Sequence, residues 1–467
     1  MREPRSGSIK TAVSIGLVLT AACSMQHYRA EPIAPDRAAA AFEARTLQDP
    51  ALAAFARDAL GQPMKPWPPA AWDYRALSLA ALYFNPDLEA ARARLAESQA
   101  QMLTAGARPN PGIGLVPGVP SPYLLTLELS FPLETAGKRG YRMQAARDLD
   151  QAARLELALA AWTVRGAVRT ALVDELTAAR SRDLLRAEVS VRAEQVQILK
   201  TLSGAGEIPV VEAAAAEIEL SRAHTALGDG EQQAVQSRAA LAAAIGISVK
   251  ALEAVQLDWP DMDSPPSAAA LPLAEIERSA VLNRLDVRSA LARYAAAESS
   301  VQLEIAKQYP DFDIGPGYTY EEKRSYFTLG LSATLPLLNR NQGPIAEAEA
   351  RRREAGAAFL ETQSRVILKS QSALEAYAAA LERLAEASRL AQLQSRQCAA
   401  VRASVQSGER GRLDLDDAEI AESAARRERL AALAQAQHAL GDLEDAVERP
   451  LARGDELPAI RDLDAAR

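Results

Sequence analysis

The sequence predicts a mainly α-helical protein with a small β component, built from one structural unit used twice. Three observations carry this reading. Matched landmarks recur about 200 residues apart: Arg108-Pro109 with Tyr309-Pro310, Ser130-Phe131-Pro132-Leu133 with Thr334-Leu335-Pro336-Leu337, and Gly206-Glu207 with Gly408-Glu409. A two-residue period appears once in each half. Leu125, Leu127, Leu129 and Phe131 alternate with Thr126, Glu128 and Ser130, as Phe327, Leu329, Leu331 and Leu335 do with Thr328, Ser332 and Thr334. Behind each alternating stretch lies an unusually long helical run. From Tyr141 to Leu202 there is no proline, and the sole glycine is Gly166.

Taken in order, residues 1–22 form a signal: Arg2, Arg5 and Lys10, an apolar run from Thr11 to Leu19, then Thr20-Ala21-Ala22 before Cys23. That run is too short to span a bilayer. Cys23 directly after small residues is similar to a bacterial lipoprotein signal, with Cys23 lipidated and Ser24 favouring outer-membrane retention. A plain secretory signal with an incidental cysteine is the alternative. Residues 23–72 are a Pro- and Ala-rich lead-in in which short helices fit, for instance around Ala38 to Ala44. The first repeat covers 73–250. Asp73 caps one helix, and Asn85-Pro86 caps the next, which runs to about Ala107. A strand pair follows over 111–133, its first member short near Ile113 to Val116.

A long helix then reaches the turn Ser203-Gly204-Ala205-Gly206, and a second helix runs from Pro209 to Ala244. Residues 251–272 are a linker rich in proline and acids. The second repeat covers 273–449, with strands over 311–337, a helix from Pro344 to Gln406, the turn Ser407 to Gly411, and a return helix from Leu413 to Val447. Residues 450–467 are a tail. Two hairpins far apart in sequence are marginal alone, so the strands make sense in a barrel closed by further copies of the chain.

Composition narrows the function. Hydrophobic residues make up 48% of the chain but aromatics only 5%, which suits closely packed Ala- and Leu-rich helices. A net charge of -8 argues against nucleic acid. Two cysteines and three scattered histidines give neither a disulfide framework nor metal-ligand spacing. No catalytic constellation appears, so the reading is no enzyme, no cofactor and no metal site.

Two repeats of strand pair plus long helix pair, behind a lipoprotein-like leader, resemble the TolC-type outer-membrane efflux factors over about residues 73–447. The segment Phe131 to Gly140 is similar to the subgroup typified by the CzcC heavy-metal efflux component, and Leu335 to Gly343 has the Asn/Gly-rich form usual for a second repeat. The resemblance implies a homotrimer whose four strands per chain form a twelve-stranded outer-membrane β-barrel, continued by an α-helical periplasmic tunnel. It further implies a periplasmic adaptor and an inner-membrane pump of the resistance-nodulation-division type as partners, besides outer-membrane lipid. The turns at Gly204, Gly206, Gly408 and Gly411 become the periplasmic tip where the adaptor docks. Metal cations or small organics fit as cargo. A type I protein-secretion duct and a non-channel coiled-coil scaffold remain alternatives.

Asp414, Asp416 and Asp417 follow the second turn, where threefold symmetry makes rings of inward-facing acids that attract cations. Capping of a helix N-terminus is the bland alternative. Arg410 and Arg412 are placed to pair with these acids across subunits and hold the tip shut. Gly137, Lys138, Arg139 and Gly140 mark the barrel-to-helix junction, where a structural role is expected. Thr126, Glu128 and Ser130 face the barrel lumen if the leucines face lipid. Cys398 reads as a small buried apolar group, and His224 and His438 as surface or packing residues.

Overall fold

The computed structural model describes residues 27–119, 124–253, 255–268 and 283–451. It divides into two units, Met1–Ala44 and Arg45–Arg467. The described part of the first unit holds one helix, α1 (Pro35–Glu43), which begins on its proline. The second unit opens with α2 (Pro50–Leu60), α3 (Tyr74–Phe84) and α4 (Pro86–Gly106). Side-chain caps set their starts. Asp49 accepts from the Ala51 N–H, Asp73 from Ala76 and Asn85 from Asp87, at 2.8, 2.8 and 2.9 Å. The two caps expected from sequence, Asp73 and Asn85, are in place; α2 is not foretold by any periodicity.

Hydrophobicity on every side of α3 buries it: Leu77, Leu79, Ala80 and Leu82 all lie in the core, against Leu52 and Phe55 of α2. The inter-repeat segment is packed rather than loose. Its Trp259 and Met262 enter the same core, and Trp259 stacks on Tyr74 with ring centroids 5.0 Å apart.

Next come β1 (Gly112–Gly118), β2 (Leu124–Leu133), α5 (Lys138–Gly204) and α6 (Val210–Ile245). The second repeat supplies α7 (Leu285–Ala306), β3 (Phe312–Glu321), β4 (Arg324–Ala333), α8 (Gln342–Gln406) and α9 (Arg412–Val447). At 67 and 65 residues, α5 and α8 are each about 100 Å long.

All four strands join one antiparallel sheet in the order β1-β2-β3-β4. The hairpins of the two repeats meet through β2 and β3, with Leu127 opposite Tyr318 and Phe131 opposite Ile314. This register collects one apolar face, from Ile113 and Leu115 through Leu127 and Phe131 to Tyr318, Phe327 and Leu331. The other face carries Thr126, Glu128, Ser130, Asp313 and Thr328 among glycines. There Thr126 and Thr319 share a 3.3 Å hydroxyl contact, and Ser130 donates to Asp313 at 3.2 Å. Among the described residues nothing covers the apolar face: Phe327 is 85% exposed and Leu329 76%.

The helices follow the same logic. α6 packs on α5, α5 on α9, and α9 on α8. Sheet and helices therefore end on the same flanks, β1 and α6 of the first repeat and β4 and α8 of the second. Among the described residues, no strand pairs with the outer edge of β1 or β4.

Candidate functional site

The ends of the two helix pairs form the candidate site. Each reversal rests on a left-handed glycine, Gly206 at φ +77° and Gly408 at φ +80°. In both turns the glycine N–H and the one after it bond back to the helix. Gly206 donates to Ser203 O and Glu207 to Leu202 O; Gly408 donates to Val405 O and Glu409 to Ser404 O. A Cβ at either glycine meets nothing within 4 Å, so backbone conformation and not space requires them. Gly204 instead ends α5, and Gly411 is the extended N-cap of α9.

After the second turn the three acids part company. Asp414 accepts the Gly411 N–H at 3.0 Å and stays exposed, forming half of a capping box, since Gly411 has no side chain to return the bond. Asp417, also exposed, accepts from Gln195 Nε2 at 2.7 Å and so ties α9 to α5. Asp416 is 0% exposed. Arg412 Nε lies 2.9 Å from its Oδ1, off the line of a hydrogen bond, and neither oxygen accepts one. Burial pushes the Asp416 carboxyl up to about 6; Arg412 opposes this, while Glu194, Glu419 and Asp417 add to it. Arg412 meanwhile donates to Glu194 of α5 at 2.9 Å. Its partners thus lie within the chain. Arg410 is exposed beside it.

Glu194 and Gln195 are site residues that the sequence reading missed. They sit about two and a half turns before the end of α5, with nothing local to mark them. Their role follows from the packing of α5 on α9, which joins positions 218 and 222 apart in the chain and leaves no trace in the repeat.

At the opposite end of α5, the junction residues are structural. Gly137 is the N-cap of α5 at φ +74°, and Asn341, its counterpart in the second repeat, caps α8 at φ +63°. Lys138 is buried and donates from Nζ to Tyr309 O and Asp311 Oδ1, both at 2.7 Å. Arg139 donates to Gly106 O at 2.8 Å, while Gly140 lies inside the first turn with open space around it.

A second polar centre lies near the far ends of α6 and α9. Arg169, 2% exposed, donates to Glu444 at 3.1 Å and to Gln437 at 2.9 Å. Glu444 also takes the Leu451 N–H at 2.8 Å and has Arg165 at 3.5 Å. Both guanidiniums lie over the Tyr74 ring.

Cys398 is buried with Val401, Leu415 and Ala418. His224 is exposed, and His438 meets Asp174 at 2.9 Å. Among the described residues no group of three His, Cys, Asp or Glu side chains could hold a metal ion, and no helix is long and apolar enough to cross a membrane. Cys23 lies outside the described residues.

Comparison with known proteins agrees with this geometry. A model of the outer membrane efflux protein family matches twice, over residues 77–247 and 278–447. The cobalt-zinc-cadmium resistance protein CzcC of Cupriavidus metallidurans is 27% identical over 277 residues, 58% of this chain and 65% of that protein. The pyoverdine export outer membrane protein OpmQ of Pseudomonas aeruginosa is 24% identical over 319 residues, 62% of this chain. The match again spans 65% of that relative's own length. The open state of the MtrE outer membrane channel of Neisseria gonorrhoeae superposes with a TM-score of 0.66 at 19% identity, covering 82% of this chain and 90% of MtrE. With one family match on each repeat and that fold beneath them, the chain belongs to the outer membrane efflux protein family.

Proposed function

We propose that the chain is the outer-membrane exit duct of a tripartite efflux system. One observation carries the reading: an uncovered apolar sheet face with two open edges continues into two helices of about 100 Å, and the helical wall ends on open flanks at α6 and α8. A sheet with such a face and such edges is stable in lipid only when closed, because every backbone group then finds a partner. Three copies close it as twelve strands, with the Phe327 and Leu329 face toward lipid and the Glu128 and Thr126 face toward the lumen. The helices prolong the lumen across the periplasm. There the glycine turns dock a periplasmic adaptor that connects to an inner-membrane pump of the resistance-nodulation-division type. A lipid on Cys23 adds an anchor.

For cargo we favour divalent metal cations. The junction motif and CzcC support this, as do the acids Glu128 and Asp313 on the polar sheet face and Asp414 and Asp417 at the tip. The OpmQ match supports small organics instead. Reconstitution into planar bilayers tests the duct: discrete, cation-selective steps are expected. A trimer that conducts in no variant, including those with an opened tip, points to a scaffold. Loss of cobalt, zinc or cadmium tolerance on deletion, with drug tolerance intact, supports metal cargo, and the reverse pattern refutes it.

A further inference from the structure

We propose that neighbouring copies meet along a charge-poor seam, α8 of one against α6 of the next, while the ionic contacts of the tube stay within each chain. The proposal rests on the three-copy assembly above. The repeat supplies the contact. Within the chain, the long helix of the first repeat, α5, packs on the return helix of the second, α9. In a near-sixfold wall the long helix of the second repeat, α8, must meet the return helix of the first, α6, from another copy. Those are the two flanks left open.

Matching landmarks set the register. Gly206 and Gly408 are both left-handed, as are Gly246 and Glu448, and each pair is 202 positions apart. The contacts between α5 and α9 can therefore be carried across one by one. Gln195 with Asp417, joined at 2.7 Å, becomes Gln397 facing Ala215 of the next copy. Glu188 with Arg427, also at 2.7 Å, becomes Leu390 facing Thr225. Glu194 with Arg412 becomes Arg396 facing Val210. At the barrel junction, where the helix caps Gly137 and Asn341 lie 204 apart and Pro109 and Pro310 lie 201 apart, Lys138 with Asp311 becomes Gln342 facing Asn110. No translated pair carries opposite charges.

Exposure agrees with the translation. On α6 the residues Ala214, Ile218, Ser221, Thr225 and Gly228 alternate steps of four and three, and all are exposed. They are the counterparts of Asp416, Ile420, Ser423, Arg427 and Leu430 on α9. On α8, Leu390, Leu393, Gln397 and Ala400 form the matching exposed stripe. Mostly small residues on α6 against Leu390, Leu393, Gln397 and Ala400 on α8 suit close coiled-coil packing without salt bridges.

Cysteine pairing in the full-length protein tests the seam, in a Cys398→Ala background. Ala215→Cys combined with Gln397→Cys is expected to give covalent trimer on mild oxidation, and neither single variant should, because bridging needs Cα atoms within about 7 Å. A trimeric mass in detergent with no cross-link overturns the seam and leaves the assembly standing. So does a cross-link formed equally well when Gln394→Cys replaces Gln397→Cys. A monomeric mass overturns the assembly and the seam together. In about 1 M salt the wild-type trimer should persist, since exposed ion pairs are screened there and this seam has none to lose. Dissociation by salt alone contradicts the inference.

Discussion

Two buried carboxylates in the same helix, Glu444 and Asp416, are treated very differently by their surroundings. Glu444 receives a guanidinium and a backbone N–H at hydrogen-bonding distance, with a second guanidinium just beyond. Asp416 has one arginine beside it, shared with Glu194, and accepts no hydrogen bond. A charge compensated from several sides holds its helices permanently. A buried charge left short of partners makes the packing around it costly and easily loosened. The chain is thus riveted where Arg169 ties α5 to α9 and the inter-repeat segment, and latched where α9 begins.

The largest effect is expected at the rivet. Glu444→Gln removes the negative partner of two arginines that are almost wholly buried, and breaking such a pair costs about 3–5 kcal/mol. A marked drop in the thermal unfolding midpoint in detergent checks it. An unchanged midpoint would show that the cation–π contacts with Tyr74 and Trp259 suffice.

At the latch the effect is smaller and opposite in sign. The folded Asp416 carboxyl titrates at about 6, above the ordinary carboxylate value of about 3.9. The folded arrangement therefore binds a proton more tightly than the open one. The penalty of the buried charge is fully present above pH ~6 and fades as pH falls toward about 4. Protection of the first turns of α9 in amide hydrogen exchange, corrected for intrinsic rates, should rise from neutral to mildly acidic pH. Asp416→Asn should abolish that rise. A pH dependence identical to wild type would remove Asp416 as its source.

Much of this was legible in the sequence. The repeat offset placed both helix pairs and their turns, since Gly206 and Gly408 punctuate long runs almost free of proline. Asp73 and Asn85 announced their helices by capping chemistry. What stayed hidden depends on long-range pairing. Arg169 and Glu444 are 275 positions apart, and each looks like one more charge on a solvated helix. The run Asp414-Leu415-Asp416-Asp417 reads as three equivalent acids, yet helical geometry turns one inward and two outward. The inter-repeat segment looked like a linker because of its prolines and acids, although Trp259 and Met262 were the apolar residues that bury it.

We propose that the gate of this duct belongs to the second helix pair, because the bridge from Arg412 to Glu194 has no counterpart at Val210 in the first repeat. Single-channel recording in planar bilayers tests it with two mirrored variants, Arg412→Ala and Val210→Ala, which change counterpart positions in the two repeats. Frequent, long-lived openings are expected for Arg412→Ala, because the α5–α9 bridge to Glu194 is gone, and wild-type behaviour for Val210→Ala. Equal behaviour of the two variants, or no conductance from either, would contradict it.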